Sequence, residues 1–139
     1  MRRKVTVTPA ELTGGKKMKA LVVKRVSFDA AHFLPNYPGK CSNIHGHHWV
    51  VEVGVSGEVG EDGMVVDFST LKGSLQPIID NLDHHLVNSV IPNPTAENIA
   101  IYIRDWLTRW ATGKEAFELE FVRVWETEDS YAEVRWGRE

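Results

Sequence analysis

The chain is poor in the features that tie a protein to the extracellular space, a membrane or a polyanion. One cysteine in 139 residues excludes an internal disulfide framework and suits a reducing compartment, so a cytoplasmic location is expected. No apolar run reaches the length of a membrane span, and no secretory segment is visible. Sixteen basic against nineteen acidic side chains leave a formal charge of −3. That balance creates no field for nucleic acid or an anionic membrane surface. There is no glycine-rich dinucleotide fingerprint, so no nicotinamide or flavin site is expected. Repeats and low-complexity tracts are absent too. Histidine is missing from both ends: all six lie between His32 and His85.

What is present suffices for one domain. Hydrophobic content of 42% supports an ordinary core. Residues 1–18 are basic, carry Pro9 and Gly14-Gly15, and lack apolar periodicity. They read as a flexible N-terminal extension ahead of a domain over 19–139. Ala20–His32 and the valine-rich His47–Gly57 have the alternation of strands. Phe33–Asn43 is a loop and Met64–Phe68 a short extended piece. Ser69 is placed to cap a helix carrying Leu71, Leu75, Ile78, Ile79 and Leu82, with Pro77 expected to kink it or delay its start. Thr95 reads first as the cap of a second helix. Phe117–Glu126 and Tyr131–Trp136 close the chain as a strand pair. The order ββααββ predicts an α+β fold, an antiparallel four-stranded sheet with two helices on one face. Such a sheet has two edges to manage, and oligomerisation through them is expected.

The chemistry concentrates in His32 and Cys41-Ser-Asn-Ile-His45-Gly-His47. In a strand, residues i and i+2 share a face, so His45 and His47 point the same way. With His32 they offer three imidazoles, which suit zinc but also copper, iron or nickel. Three readings stay open on spacing alone. One is a catalytic metal with an open fourth position, one a closed site with Cys41 as fourth ligand, and one an unliganded hydrogen-bonded group. His48 falls on the opposite face and is not a ligand. Asp83-His84-His85 follows the first helix, where a carboxylate beside an imidazole can orient a proton shuttle or simply belong to a polar turn. Glu126 ends an apolar strand; its carboxylate can accept two hydrogen bonds from an amidine-like N–H edge or merely be solvated.

Six stretches, in this order, resemble one family. They are Phe28-Asp-Ala-Ala-His32, Cys41-x3-His45-Gly-His47, Gly63-Met-Val-Val-Asp67-Phe68, Leu82-Asp-His84, Pro94-Thr-Ala-Glu97-Asn98 and Glu126-Thr127. Together they are similar to the 6-pyruvoyl-tetrahydropterin and 6-carboxy-tetrahydropterin synthases over about residues 19 to 136. The resemblance implies a tunnelling fold, assembled as a hexamer of two stacked trimers with active sites at subunit interfaces. It implies Zn²⁺ on His32, His45 and His47, and Cys41 as catalytic base. Asp83 and His84 would form a proton relay from a neighbouring subunit. Glu126 would anchor a pterin ring, with Thr95 nearby. The implied substrate is 7,8-dihydroneopterin triphosphate.

The short Cys-x3-His-Gly-His interval and Asn93-Pro94-Thr95 look like the bacterial 6-carboxy branch, the route to queuosine and other deazapurines. Its reaction releases acetaldehyde and triphosphate. The pyruvoyl branch, which keeps the side chain, is the alternative, and a zinc-stabilised pterin or purine-binding module is a non-enzyme rival. Cys41 argues against a folate-linked branch that carries glutamate there. His48-Trp49 departs from the Asn-Tyr pair more usual in the family, and the triphosphate site is not obvious. Lys24, Arg25 and Lys40 are candidates for it by proximity in sequence.

Overall fold

Two long strands carry the site. β1 (Lys19–His32) and β2 (His45–Glu58) pair antiparallel along their whole length in a computed structural model that describes residues 3–137. Their register places Phe28 opposite Trp49, Ala30 opposite His47 and His32 opposite His45. All six of these side chains belong to the face that continues into the core through Val51, Val53 and Val55. β3 (Glu118–Thr127) and β4 (Ser130–Arg135) complete a sheet of order β1-β2-β3-β4, antiparallel throughout. Both β1 and β4 are edges of this sheet.

A short helix, α1 (Pro9–Thr13), lies within the N-terminal extension and buries nothing. Thr8 caps it, proline stands in its first turn, and Gly14 ends it at φ 66°. These are local signals, and they act without a core. α2 (Phe68–Leu82) and α3 (Ala96–Trp110) pack on one face of the sheet. They bury Leu71, Leu75, Ile78 and Leu82 from α2 and Ile99, Ile103 and Leu107 from α3. No helix among the described residues is long and apolar enough to cross a membrane.

Two expectations shift in detail. α2 starts at Phe68, not after Ser69, because the Asp67 carboxylate is the cap. It accepts both the Ser69 backbone N–H and the Ser69 hydroxyl at 2.7 Å. Met64–Asp67 is accordingly irregular and not an extended piece, and Phe68 already belongs to α2. Pro77 lies inside α2 without delaying its start. Proline withholds one N–H from the carbonyl four residues back. Here that is Gly73, which like Pro77 is exposed, so water can satisfy the freed carbonyl.

The helix-free face of the sheet is polar in an ordered way. Arg25 pairs across the strands with Glu52, Glu52 with Arg123, and Arg123 with Glu133. One row of alternating charge therefore crosses all four strands. Opposite charges placed directly across a ladder stabilise it. Beside this row the β2–β3 register shifts at Gly54, where the Phe121 ring lies over the glycine. A Cβ on Gly54 would come within 2.2 Å of that ring. Gly54→Val is expected to cost about 1–3 kcal/mol through overpacking, read as a lowered thermal or denaturant midpoint. An unchanged midpoint would mean that Phe121 is free to move.

Candidate metal centre

The sheet end farthest from α1 gathers His32, His45, His47 and Glu126. One ligand atom from each lies within 4.8 Å of all the others. β1 and β2 deliver the three imidazoles on one face, His32 and His45 as a direct cross-strand pair and His47 opposite Ala30. β3 delivers Glu126 by the same period of two, in line with the buried Val122 and Val124. Trp49 is the floor: its ring meets those of His32 and His47 edge to face, with centroids 4.9 and 5.4 Å away. The indole N–H donates to the Ala30 carbonyl at 3.2 Å.

Backbone carbonyls set the tautomers. His32 Nδ1 is 2.8 Å from the Pro94 carbonyl and His45 Nδ1 is 2.7 Å from the Asn43 carbonyl. A carbonyl only accepts, so each Nδ1 carries the proton and each Nε2 offers a lone pair. Those two Nε2 atoms face one another at 3.0 Å. Two lone pairs at that distance repel unless a cation or proton lies between them. His47 Nε2 is buried without a hydrogen-bond partner. Glu126 Oε1 stands 3.1 Å from it, an ion-pair distance without hydrogen-bond alignment. A nitrogen in this position meets the condition for a ligand. Tetrahedral zinc holds such nitrogens roughly 3.3 Å apart at ordinary bond lengths, close to the spacing here. The donor set therefore fits a divalent metal, with the outer-sphere carbonyls that ligating histidines need.

Electrostatics favour the ligating form. Burial pushes the His32 pKa below the ordinary value, and the nearby His45 adds to this against the opposing Pro94 carbonyl and Glu126. Burial likewise lowers His47, against the pull of Glu126. Both rings are neutral at neutral pH, as metal binding requires.

The remaining expected residues are distributed around this centre. Cys41 lies in a short 3₁₀ turn, Lys40–Ser42, whose Cys41 carbonyl accepts the Leu34 N–H at 2.6 Å. Cys41 is partly buried and lies outside the cluster of four. Asp83 ends α2 and accepts the Asp29 N–H at 2.8 Å through one carboxylate oxygen. The other lies 2.9 Å from His84 Nδ1. The Asp29 hydrogen bond, then the one to His84, holds the Asp83 pKa below the usual carboxylate value. His84 adopts φ 59°, and its N–H donates to the Asp29 carbonyl. A non-glycine residue in that region is uncommon and marks a site fixed by its surroundings. The Asp83–His84 pair is thus hung on β1 of its own chain. His84 lines a hollow shared with His47 and His48.

Thr95 spends its hydroxyl on capping α3, accepting the Asn98 N–H at 3.0 Å. Its neighbour Pro94 supplies the carbonyl that fixes His32. Glu126 joins the ligand cluster and also lines an open cleft of about 650 Å³ with Arg25, His48, Val50, Trp125 and Thr127. Sequence reasoning missed Asp29, which is opposite His48 in the β1–β2 register. Its carboxylate lies 2.8 Å from His48 Nδ1. The Phe28-Asp-Ala-Ala-His32 alternation was the available signal, since it puts Asp29 on the face away from His32.

Comparison with known proteins supplies the lineage. A family described as 6-pyruvoyl tetrahydropterin synthase matches residues 21–137. A Synechocystis protein named 6-carboxy-5,6,7,8-tetrahydropterin synthase is 42% identical over 91 residues, 60% of this chain and 70% of that protein. A Pyrococcus furiosus protein named dihydroneopterin monophosphate aldolase is 35% identical over 119 residues, 86% of this chain and all of that protein. The solved structure of the Caenorhabditis elegans 6-pyruvoyl tetrahydropterin synthase superposes with a TM-score of 0.74 at 27% identity, over 86% of this chain and 97% of that one. The chain belongs to the 6-pyruvoyl tetrahydropterin synthase family.

Two outcomes follow from the geometry. His47→Ala is expected to lose a stoichiometric divalent metal, whereas Glu126→Gln and Cys41→Ala keep it, as measured by elemental analysis of purified protein. Metal loss in Cys41→Ala would support the closed four-ligand reading. For metal-free protein, the unfolded chain takes up protons near the ordinary histidine value of 6.5 while folded His32 and His47 resist them. Stability is therefore full above about pH 6.5 and falls as pH drops through and below it. Thermal melts across that range should show the slope, and His32→Gln should flatten it.

Proposed function

We propose that this member of the family is a zinc-dependent 6-carboxy-tetrahydropterin synthase. It would convert 7,8-dihydroneopterin triphosphate and one water to 6-carboxy-5,6,7,8-tetrahydropterin, acetaldehyde and triphosphate, the water supplying the new carboxylate oxygen, as a carbon–carbon and carbon–oxygen lyase of queuosine and deazapurine synthesis. The observation that carries this reading is the place of His47. It belongs at once to the metal cluster, to the hollow that holds His84, and to the cleft that holds Glu126. A substrate side chain at that junction would lie between a candidate metal site and the hollow that holds a candidate proton carrier, an arrangement that simple ring binding does not need.

Zinc on His32, His45 and His47 would acidify the substrate's side-chain hydroxyls and stabilise the negative charge that develops there. The chain's own residues do the rest. Cys41, as thiolate, removes a proton from the three-carbon side chain. His84, oriented through Nδ1 by Asp83, gives or takes the second proton through its other nitrogen. Glu126 accepts the paired N–H edge of the pterin, and Thr95 flanks it while capping α3. Trp49 closes the centre from below and keeps bulk water from that side. The working assembly would be a cytoplasmic hexamer of two trimers, which removes the two sheet edges.

Two neighbouring chemistries share this site. The pyruvoyl product is favoured by the family's own description, and an aldolase reaction on the monophosphate by the Pyrococcus furiosus relative. Mass spectrometry of products from zinc-loaded protein separates them. With the triphosphate, 6-carboxy-tetrahydropterin and acetaldehyde are expected. A pyruvoyl product without acetaldehyde moves the chain to the other branch. Turnover of the monophosphate alone favours the aldolase, and untouched pterins with zinc in place point to a binding module. Cys41→Ala and His84→Ala should each lower kcat by about two to four orders of magnitude while retaining zinc.

A further inference from the structure

The cleft beside Glu126 has two unlike sides. One belongs to the metal centre, through His47 and Glu126. The other is built from Arg25, Val50 and Trp125, on the helix-free face of the sheet. A single carboxylate that does not itself line the cleft organises this second side. Glu52, on β2, is only 13% exposed. Its Oε2 accepts from Arg25 Nη2 at 3.4 Å, and its Oε1 accepts the Trp125 indole N–H. Trp125 is further fixed by Tyr131, whose ring centroid is 4.5 Å away.

The consequence for Arg25 is specific. A guanidinium carries five N–H donors in a planar fork. Among the described residues, Glu52 engages Arg25 through one terminal nitrogen, and the side chain remains 63% exposed. Arg123, in the same charge row, is by contrast committed to Glu133. Of the three basic residues that sequence proximity offered for the phosphates, Arg25 lines this cleft and Lys24 and Lys40 do not. Glu126 and Glu128 are the carboxylates that line the cleft, so an anionic group is steered away from them to the Arg25 side.

We propose that Arg25 is the phosphate-binding residue of the site, that Trp125 is the apolar wall along which the substrate lies, and that Glu52 is the positioning residue for both. The inference rests on the pterin phosphate reading above and adds which end of the substrate faces which wall. The reacting carbons lie toward His47 and the phosphates toward Arg25. Arg25 then contributes binding and not proton transfer.

The test uses the zinc-loaded full chain and two probes, 7,8-dihydroneopterin triphosphate and unphosphorylated 7,8-dihydroneopterin, each titrated by calorimetry. Arg25→Gln should weaken the triphosphate about 10- to 100-fold, the size of one or two charge-assisted hydrogen bonds. Dihydroneopterin binding should stay within about twofold, because it makes no such contact. In turnover, KM rises and kcat holds. Inorganic triphosphate should compete with the substrate on the unmodified protein and not on Arg25→Gln. Glu52→Gln keeps an acceptor for the indole but loses the charge that holds the guanidinium. It should reproduce a smaller part of the KM effect with unchanged zinc content. Equal loss of both probes in Arg25→Gln, or no loss of either, overturns the assignment and leaves the pterin reading standing. Failure of the unmodified protein to bind either probe overturns both.

Discussion

The register of β1 against β2 is the constraint on which the site depends. Phe28 faces Trp49, Ala30 faces His47 and His32 faces His45. The first of these pairs is buried and stacked, with ring centroids 6.0 Å apart. Apolar burial there fixes a register that the histidines then inherit. A slip of one residue would carry His45 and His47 to the other side of the sheet and separate them from His32. The metal-ligand geometry is thus an extension of the hydrophobic core by one more turn of the same alternation, with polar side chains in the final places.

The loops finish what the strands begin. Pro94 and Asn43 contribute only carbonyls, yet these decide which nitrogen of His32 and His45 faces the centre. Pro94 also directly precedes the cap of α3. The orientation of His32 and the start of α3 are therefore linked through two adjacent residues. On the opposite flank, Asp29 binds the Asp83 carboxylate by its N–H and the His84 N–H by its carbonyl. That clamp explains how a histidine is kept at φ 59°. Such conformations persist where several contacts agree on them.

Much of this was legible in the sequence, for physical reasons. His45 and His47 obey the strand period, so their shared face could be read directly, whereas the addition of His32 to that face is set by the β1–β2 register. Thr95 was legible as a cap because a hydroxyl before an apolar helical stripe has few other uses. The cap of α2 was misplaced from Asp67 to Ser69, because both side chains suit that role and only the backbone decides between them. The membership of Glu126 in the ligand cluster was not legible. It depends on how β3 pairs with β2, a contact between remote parts of the chain. The separation of Cys41 from the cluster was not legible either, because it lies in a short turn to which the strand period does not apply. α1 escaped because a helix without a buried face shows no periodicity, although Thr8, Pro9 and Gly14 spelled out its ends.

The row Arg25, Glu52, Arg123, Glu133 has an effect beyond local pairing. Its signs alternate strand by strand, so each central charge is flanked by opposite charges on both sides. A sheet packing flat against this face would have to strip water from four ionic groups at once, and desolvating charges is costly. The face therefore resists the stacking by which exposed sheets condense into insoluble material, while staying open to small anions and water. Colloidal behaviour and ligand access would then have a common origin in one line of side chains.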